Sequence, residues 1–142
     1  GEGRARRARR AMIVVDASAL LELLLNTAAG ARVAARLFAP RESLHAPHLI
    51  DLEVAQVLRR YSLAGALDAV RGAEALEDLA DVPLRRYPHD VLLPRIWDLR
   101  RNATAYDAAY LALAEALDAP LVTRDRALAS IPGHAARVEV LR

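Results

Sequence analysis

Asp16 follows the apolar run Met12–Val15, and Asp125 follows Pro120–Thr123 with one arginine between. Both therefore stand just past the carboxyl ends of expected strands, the edge at which open parallel sheets bind ligands. Glu53 falls in the early turns of a helix expected after a short strand at Leu44–Ala46. Asp107 falls in the first turn of a helix expected over Thr104–Leu117. Singly, each acid has an ordinary structural reading. Asp16-x-Ser18 is turn chemistry, Thr104-x-x-Asp107 matches a capping box, Asp125 suits a helix cap, and Glu53 suits a solvated helix N-terminus. Together they converge on one sheet edge, where like charges raise one another's proton affinity unless a cation offsets them. An all-oxygen acid cluster matches a hard divalent ion such as Mg²⁺ or Mn²⁺.

Composition removes several other chemistries. The chain has no cysteine, which excludes disulfide scaffolds, thiolate zinc sites and cysteine nucleophiles. That fits a reducing compartment, and a cytoplasmic location is expected. All 20 basic residues are arginine, so P-loop and Schiff-base chemistry lack their lysine. The four histidines, His45, His48, His89 and His134, show no HExxH or paired-ligand spacing. No GxSxG elbow is present. Aromatic residues are sparse, so base-stacking platforms look poor. Tyr106 and Tyr110 flank Asp107 at helical spacing and read as core or dimer packing first, substrate contacts second.

The elements that must place the acids alternate. Strands are expected at Met12–Val15, Leu44–Ala46, Leu84–Tyr87, Pro120–Thr123 and Val138–Leu141. Helices are expected from a Ser18 cap through Leu25, and over Arg32–Phe38, His48–Tyr61, Asp68–Leu79, His89–Arg101, Thr104–Leu117 and Arg126–Ala129. Gly65 closes the third of these. This pattern gives an α/β fold in three layers, α/β/α, with a central parallel sheet of four or five strands. The apolar runs are too short to span a membrane, and the arginine-rich start lacks the apolar core of a secretory signal, since Asp16 and Glu22 interrupt it.

The segments VVDASALLELL, HLIDLEVAQVLRR and TAYDAAYLALAEALDAPLVTRDRAL resemble the PIN-domain nucleases, and above all the VapC toxins of toxin–antitoxin pairs. The resemblance runs from Met12 to Leu141. It implies a Mg²⁺- or Mn²⁺-dependent endoribonuclease that forms homodimers and is inhibited by a cognate antitoxin. Carried onto this sequence, it makes Asp16, Glu53, Asp107 and Asp125 the catalytic acids, with Ser18 and Thr123 as neighbouring hydroxyls. Asp16, Asp107 and Asp125 are the expected metal ligands, and Glu53 the residue that holds water. Without lysine, RNA phosphates fall to arginines, with Arg124, Arg126, Arg100 and Arg101 as candidates.

One feature departs from the family pattern. Residues 1–11 carry five arginines against one glutamate, +4, which leaves −2 for the remainder of a chain whose net charge is +2. They are set apart as a basic extension, a tag or upstream remnant, ahead of a nuclease domain over 12–142. Rival readings are weaker on motif grounds. A dehalogenase-like phosphatase wants a second aspartate where Ser18 stands, and it and a response-regulator receiver both want a lysine. A silent PIN-fold interaction module and a metal-dependent DNA nuclease stay open as alternatives.

Overall fold

The computed structural model describes residues 11–142. The basic extension therefore lies outside the described residues, except for Ala11, which opens the first strand. Five strands form one sheet: β1 Ala11–Val15, β2 Glu42–Pro47, β3 Leu84–Tyr87, β4 Leu121–Thr123 and β5 Val138–Val140. All pairings are parallel, in the order β3-β2-β1-β4-β5. Ile13, Val14 and Val15 on central β1 are at most 1% exposed. A strand covered on both faces needs apolar residues at every position, which is why MIVV shows no alternation.

The chain order puts a topological switch at the centre of the sheet. From β1 the chain moves to β2 and β3 on one side, then crosses to β4 and β5 on the other. The connections leaving β1 and β4 thus diverge, opening the crevice in which such sheets hold ligands. Val15 pairs with Val122, so the residues after both strands emerge side by side.

Helices fill the remaining layers: α1 Ala17–Leu24, α2 Gly30–Leu37, α3 Leu49–Leu63, α4 Ala69–Asp81, α5 Leu93–Asp98, α6 Ala105–Leu117 and α7 Arg126–Ala129. The expected cap of α1 is corrected. Asp16, not Ser18, holds the N-cap: its backbone is extended and its carboxylate accepts the Ala19 N–H, while Ser18 lies inside the first turn. The helix expected over His89–Arg101 is split into a 3-10 turn at Asp90–Leu92 and the short α5. Pro94 sits in the first turn of α5, where its missing N–H costs nothing. Helix α2 starts two residues before the expected Arg32, at Gly30, where an added Cβ would stand 3.0 Å from the Glu22 carbonyl oxygen of α1. Gly65, just past the end of α3, takes φ +76, as a helix-ending glycine should.

Helix α6 is buried around its whole middle. Ala108 to Ala114 are all buried, because α6 packs against β1, β2 and β4 as well as α5. Tyr106, read as core or dimer packing first and a substrate contact second, is 64% exposed and so stands outside the core. The core centres on Ile13, Leu20, Ile50, Val54, Leu111 and Leu121, and it fixes the start of α6 beside the ends of β1 and β4. No helix among the described residues is long and apolar enough to cross a membrane.

Candidate active site

Asp16 is the buried centre of the crevice, only 7% exposed. Its carboxylate accepts from three donors: Ser18 Oγ at 2.7 Å and Ala19 N at 3.1 Å on Oδ1, and Thr123 Oγ1 at 2.5 Å on Oδ2. Each hydroxyl in turn accepts a backbone N–H from the turn after β4. Ser18 Oγ takes Arg124 N–H and Thr123 Oγ1 takes Asp125 N–H, both at 2.9 Å. The two hydroxyl oxygens stand 3.2 Å apart. Ser18 and Thr123 therefore lock the turn carrying Asp125 against the residue capping α1. Their place beside Asp16 agrees with the sequence expectation.

The other acids come from helices that start at this edge. Thr104 caps α6, its hydroxyl accepting the Asp107 N–H at 3.1 Å. Asp107 lies in the first turn of that helix, half-buried. Asp125 is exposed and caps α7 through Ala127 N–H at 2.9 Å. Glu53 lies in the second turn of α3, and its Oε1 accepts the Tyr110 hydroxyl at 2.6 Å. The cap reading of Asp125 thus holds beside its place at this edge, one carboxylate oxygen capping α7 and the other left over. Only the Thr104 half of the capping box forms, and among the described residues no backbone N–H donates to the Asp107 carboxylate.

Asp16, Glu53 and Asp107 are perturbed by burial and by neighbouring acids. Burial is the main cause that pushes Asp16 above the usual carboxylate range, with the charge of Asp125 adding to it and the hydrogen bonds from Thr123, Ser18 and Ala19 opposing it. Burial, then Asp107 and Asp16, push Glu53 up against the opposing Tyr110 bond. Burial and Asp125 push Asp107 up. Tyr110 is pushed far above an ordinary phenol by burial and by Glu53. It stays protonated and donates.

A site of oxygen donors whose charges raise one another's proton affinity suits a divalent cation in chemistry. Among the described residues, no three acidic or imidazole side chains are drawn together closely enough to chelate an ion as they stand. Asp16, Asp107 and Asp125 fit such an ion by donor type and mutual repulsion.

The arginine candidates divide. Arg124 donates through Nη1 to the Leu141 carbonyl at 3.1 Å and lies 3.8 Å from Glu22, beside the crevice. Arg126 and Arg101 are exposed. Arg100 is folded back, its Nη1 on the Trp97 carbonyl and its guanidinium carbon 4.6 Å from the indole centroid. Tyr110, read from the sequence as core or dimer packing, is in the core and also touches the site. It is 2% exposed, as packing requires, yet its hydroxyl serves Glu53. The signal was a lone hydroxyl within the otherwise alanine–leucine stretch Ala108–Ala114.

Comparison with known proteins identifies the family. The PIN domain family model matches residues 13–133. The chain is 48% identical over 114 residues to the VapC ribonuclease Mb0985 of Mycobacterium bovis, covering 80% of this chain and 86% of that one. It is 41% identical over 130 residues to ribonuclease VapC12 of Mycobacterium tuberculosis, covering 92% and 99%. In fold it is similar to a Mycobacterium tuberculosis member of the VapBC toxin–antitoxin family, VapBC-5, with a TM-score of 0.56 and 23% identity over 93% of this chain and 98% of that one. On a family match across most of its length, and on relatives above 40% identity that it covers almost end to end, the chain belongs to the PIN-domain family, among the VapC ribonucleases.

Proposed function

We propose that this chain is the toxin of a toxin–antitoxin pair, an endoribonuclease that hydrolyses RNA phosphodiester bonds at Asp16, Glu53, Asp107 and Asp125. The carrying observation is that the Asp16 carboxylate is tied through Thr123 Oγ1 to the turn bearing Asp125, and Glu53 through Tyr110 to the helix bearing Asp107, at the switch between β1 and β4. Membership among the VapC ribonucleases supports RNA as substrate and a cognate antitoxin as partner. A homodimer in the cytoplasm completes the reading.

Asp16, Asp107 and Asp125 would hold Mg²⁺ or Mn²⁺. Such an ion, when bound, lowers the pKa of water toward neutrality and offsets negative charge developing on a phosphate. The protein's own part is positional. The Ser18 and Thr123 hydroxyls fix both oxygens of Asp16; Oδ1 accepts two hydrogen bonds and Oδ2 one, which leaves acceptor capacity on Oδ2 for an ion. Glu53, held through Oε1 by Tyr110, keeps Oε2 to orient the attacking water and take its proton. Water oxygen bonds to phosphorus, and the bond from phosphorus to the leaving ribose oxygen breaks in line. Arg124, in the turn between β4 and Asp125, offers a guanidinium to steady the phosphate.

The test is incubation of purified protein with total RNA and with DNA, in Mg²⁺, Mn²⁺ or EDTA, with mapping of cleaved ends. Cleavage of RNA that needs the metal supports the reading. Cleavage of DNA alone, or none of either, overturns it.

A further inference from the structure

We propose that the groove between α1 and α3 seats single-stranded RNA flanking the scissile phosphate, with Arg59 and Arg60 holding backbone phosphates and Tyr106 stacking on a base. This rests on the ribonuclease reading above and adds to it a path for the substrate.

The groove has a volume of about 920 Å³ and adjoins the site, with Ser18 and Glu53 in its wall and Asp16, Asp107 and Asp125 next to lining residues in sequence. Along α3, Glu53, Gln56 and Arg60 recur at i, i+3 and i+7 and so share one face. At 1.5 Å of rise per residue, Arg60 stands about 10 Å along the helix from Glu53. A strand placed with its reacting phosphate at the acids therefore meets arginine as it leaves them.

Arg59 and Arg60 are exposed, and among the described residues neither forms an ion pair. Other arginines without an acid partner among the described residues, such as Arg32 and Arg85, do not line this groove, and the third arginine that does, Arg124, stands 3.8 Å from Glu22. Two unpaired planar cations on a site-facing wall match a polyanion.

The rest of the groove suits unpaired bases. Tyr106, 64% exposed, stands at its mouth one residue before Asp107, and Tyr61, 43% exposed, lies beside Arg60. Leu52, 74% exposed, adds an apolar wall. Exposed aromatics beside arginine are how single strands are held. A duplex hides its base faces from such residues.

The test is equilibrium binding of a short fluorescent single-stranded RNA, read by anisotropy in Mn²⁺ between about 50 and 200 mM salt. It is run in an Asp16→Asn background so that the RNA stays intact. Arg59→Ala/Arg60→Ala weakens binding by about tenfold or more at the lower salt and reduces the salt slope by about 1.4, the value for two single-strand phosphate contacts. Tyr106→Ala weakens binding by about tenfold with the slope unchanged. Arg137→Ala is the charge control: Arg137 precedes β5, at the opposite edge of the sheet, and pairs with Asp118. Affinity and slope unchanged in the Arg59/Arg60 variant overturn the proposal and leave the groove to a protein partner. A chain that fails to cut RNA, yet loses RNA binding in that variant, overturns the ribonuclease reading while the groove assignment stands.

Discussion

The Tyr110 hydroxyl donates to Glu53 Oε1 at 2.6 Å, a single bond that ties α6 to α3 across the edge where the acids gather. Glu53 is half-buried and pushed toward its protonated form by that burial and by its acidic neighbours, and the phenol opposes both. Tyr110→Phe keeps the ring and its packing but removes the donor. A hydrogen bond to a charged group contributes about 1.5–3 kcal/mol when the partner is left buried. Glu53 can turn toward solvent, so the expected stability loss is about 1 kcal/mol. Cleavage falls about tenfold in kcat with KM little changed, as befits a residue that positions another. Steady-state kinetics and urea melts read both, and in a Glu53→Gln background the tyrosine change adds little. Wild-type kcat in Tyr110→Phe would remove the positioning role.

Asp16→Asn tests the centre of the site. An asparagine oxygen replaces one carboxylate oxygen as acceptor, so the cap on Ala19 N–H and the Ser18 bond are retained. On the other side an amide N–H₂ meets Thr123 Oγ1, which already accepts from Asp125 N–H and must rotate its own proton away. The fold survives with a stability change within about 1 kcal/mol, read as an unchanged far-UV spectrum and a cooperative melt. RNA cleavage drops by about a thousandfold or more, since the charge that a divalent ion needs is gone. A folded Asp16→Asn protein with full activity would detach this residue from the chemistry.

The sequence made the sheet and the acids legible for separable physical reasons. MIVV and PLVT read as strands because both faces of β1 and β4 are covered, and an unbroken apolar run is what such burial requires. Asp16 and Asp125 read as site residues because they follow those runs. The α1 cap was misread because Ser and Asp are both good caps, and only the backbone dihedrals of Asp16 choose between them. The His89–Arg101 segment was read as one helix because local periodicity does not show where a 3-10 turn breaks it. Tyr110 and the groove arginines escaped because their roles depend on contacts or placement between elements far apart in sequence. Tyr110 meets Glu53 across 57 residues.

The mutual repulsion of the acids sets a sign for stability without metal. Asp16, Glu53 and Asp107 all bind protons more tightly folded than unfolded. Between the unfolded pKa near 4 and their raised folded values, the native state holds the extra protons. These groups therefore make the protein less stable as pH rises through that window, and more stable as it falls. Asp107→Asn removes one charge from the cluster while Thr104 still caps α6 through the backbone N–H of position 107. In EDTA at pH 7.5 the variant melts roughly a few degrees above wild type, and the gap narrows on acidification as wild-type Asp107, its proton affinity raised by burial and by Asp125, takes up its proton. Added Mn²⁺ reverses the order, because wild type gains binding energy that the variant has lost. Equal melting in EDTA across this range would mean the acids do not strain the fold.

His45 gives the opposite sign and separates from the acids by mutation. It is 4% exposed on β2, with Nε2 2.7 Å from Ser43 Oγ and Nδ1 2.6 Å from Tyr87 Oη. The neutral ring satisfies both contacts, donating from one nitrogen and accepting at the other. Burial first, and the nearby Arg85 charge second, hold its pKa below the usual histidine value. Unfolded chains take up this proton below about pH 6.5 while the native ring stays neutral. Stability from His45 is therefore fully present above that pH and is lost as pH falls toward the depressed native value. The loss has a limiting slope of about 1.4 kcal/mol per pH unit from one group. His45→Gln keeps a donor and an acceptor but cannot titrate, so it removes this slope. Every carboxylate is common to both proteins, so their contributions cancel in the difference between the two curves. Urea melts at pH 7.0, 6.0 and 5.0 read that difference: wild type loses stability relative to the variant on acidification. Parallel curves would show that the native ring takes up its proton as readily as the unfolded one.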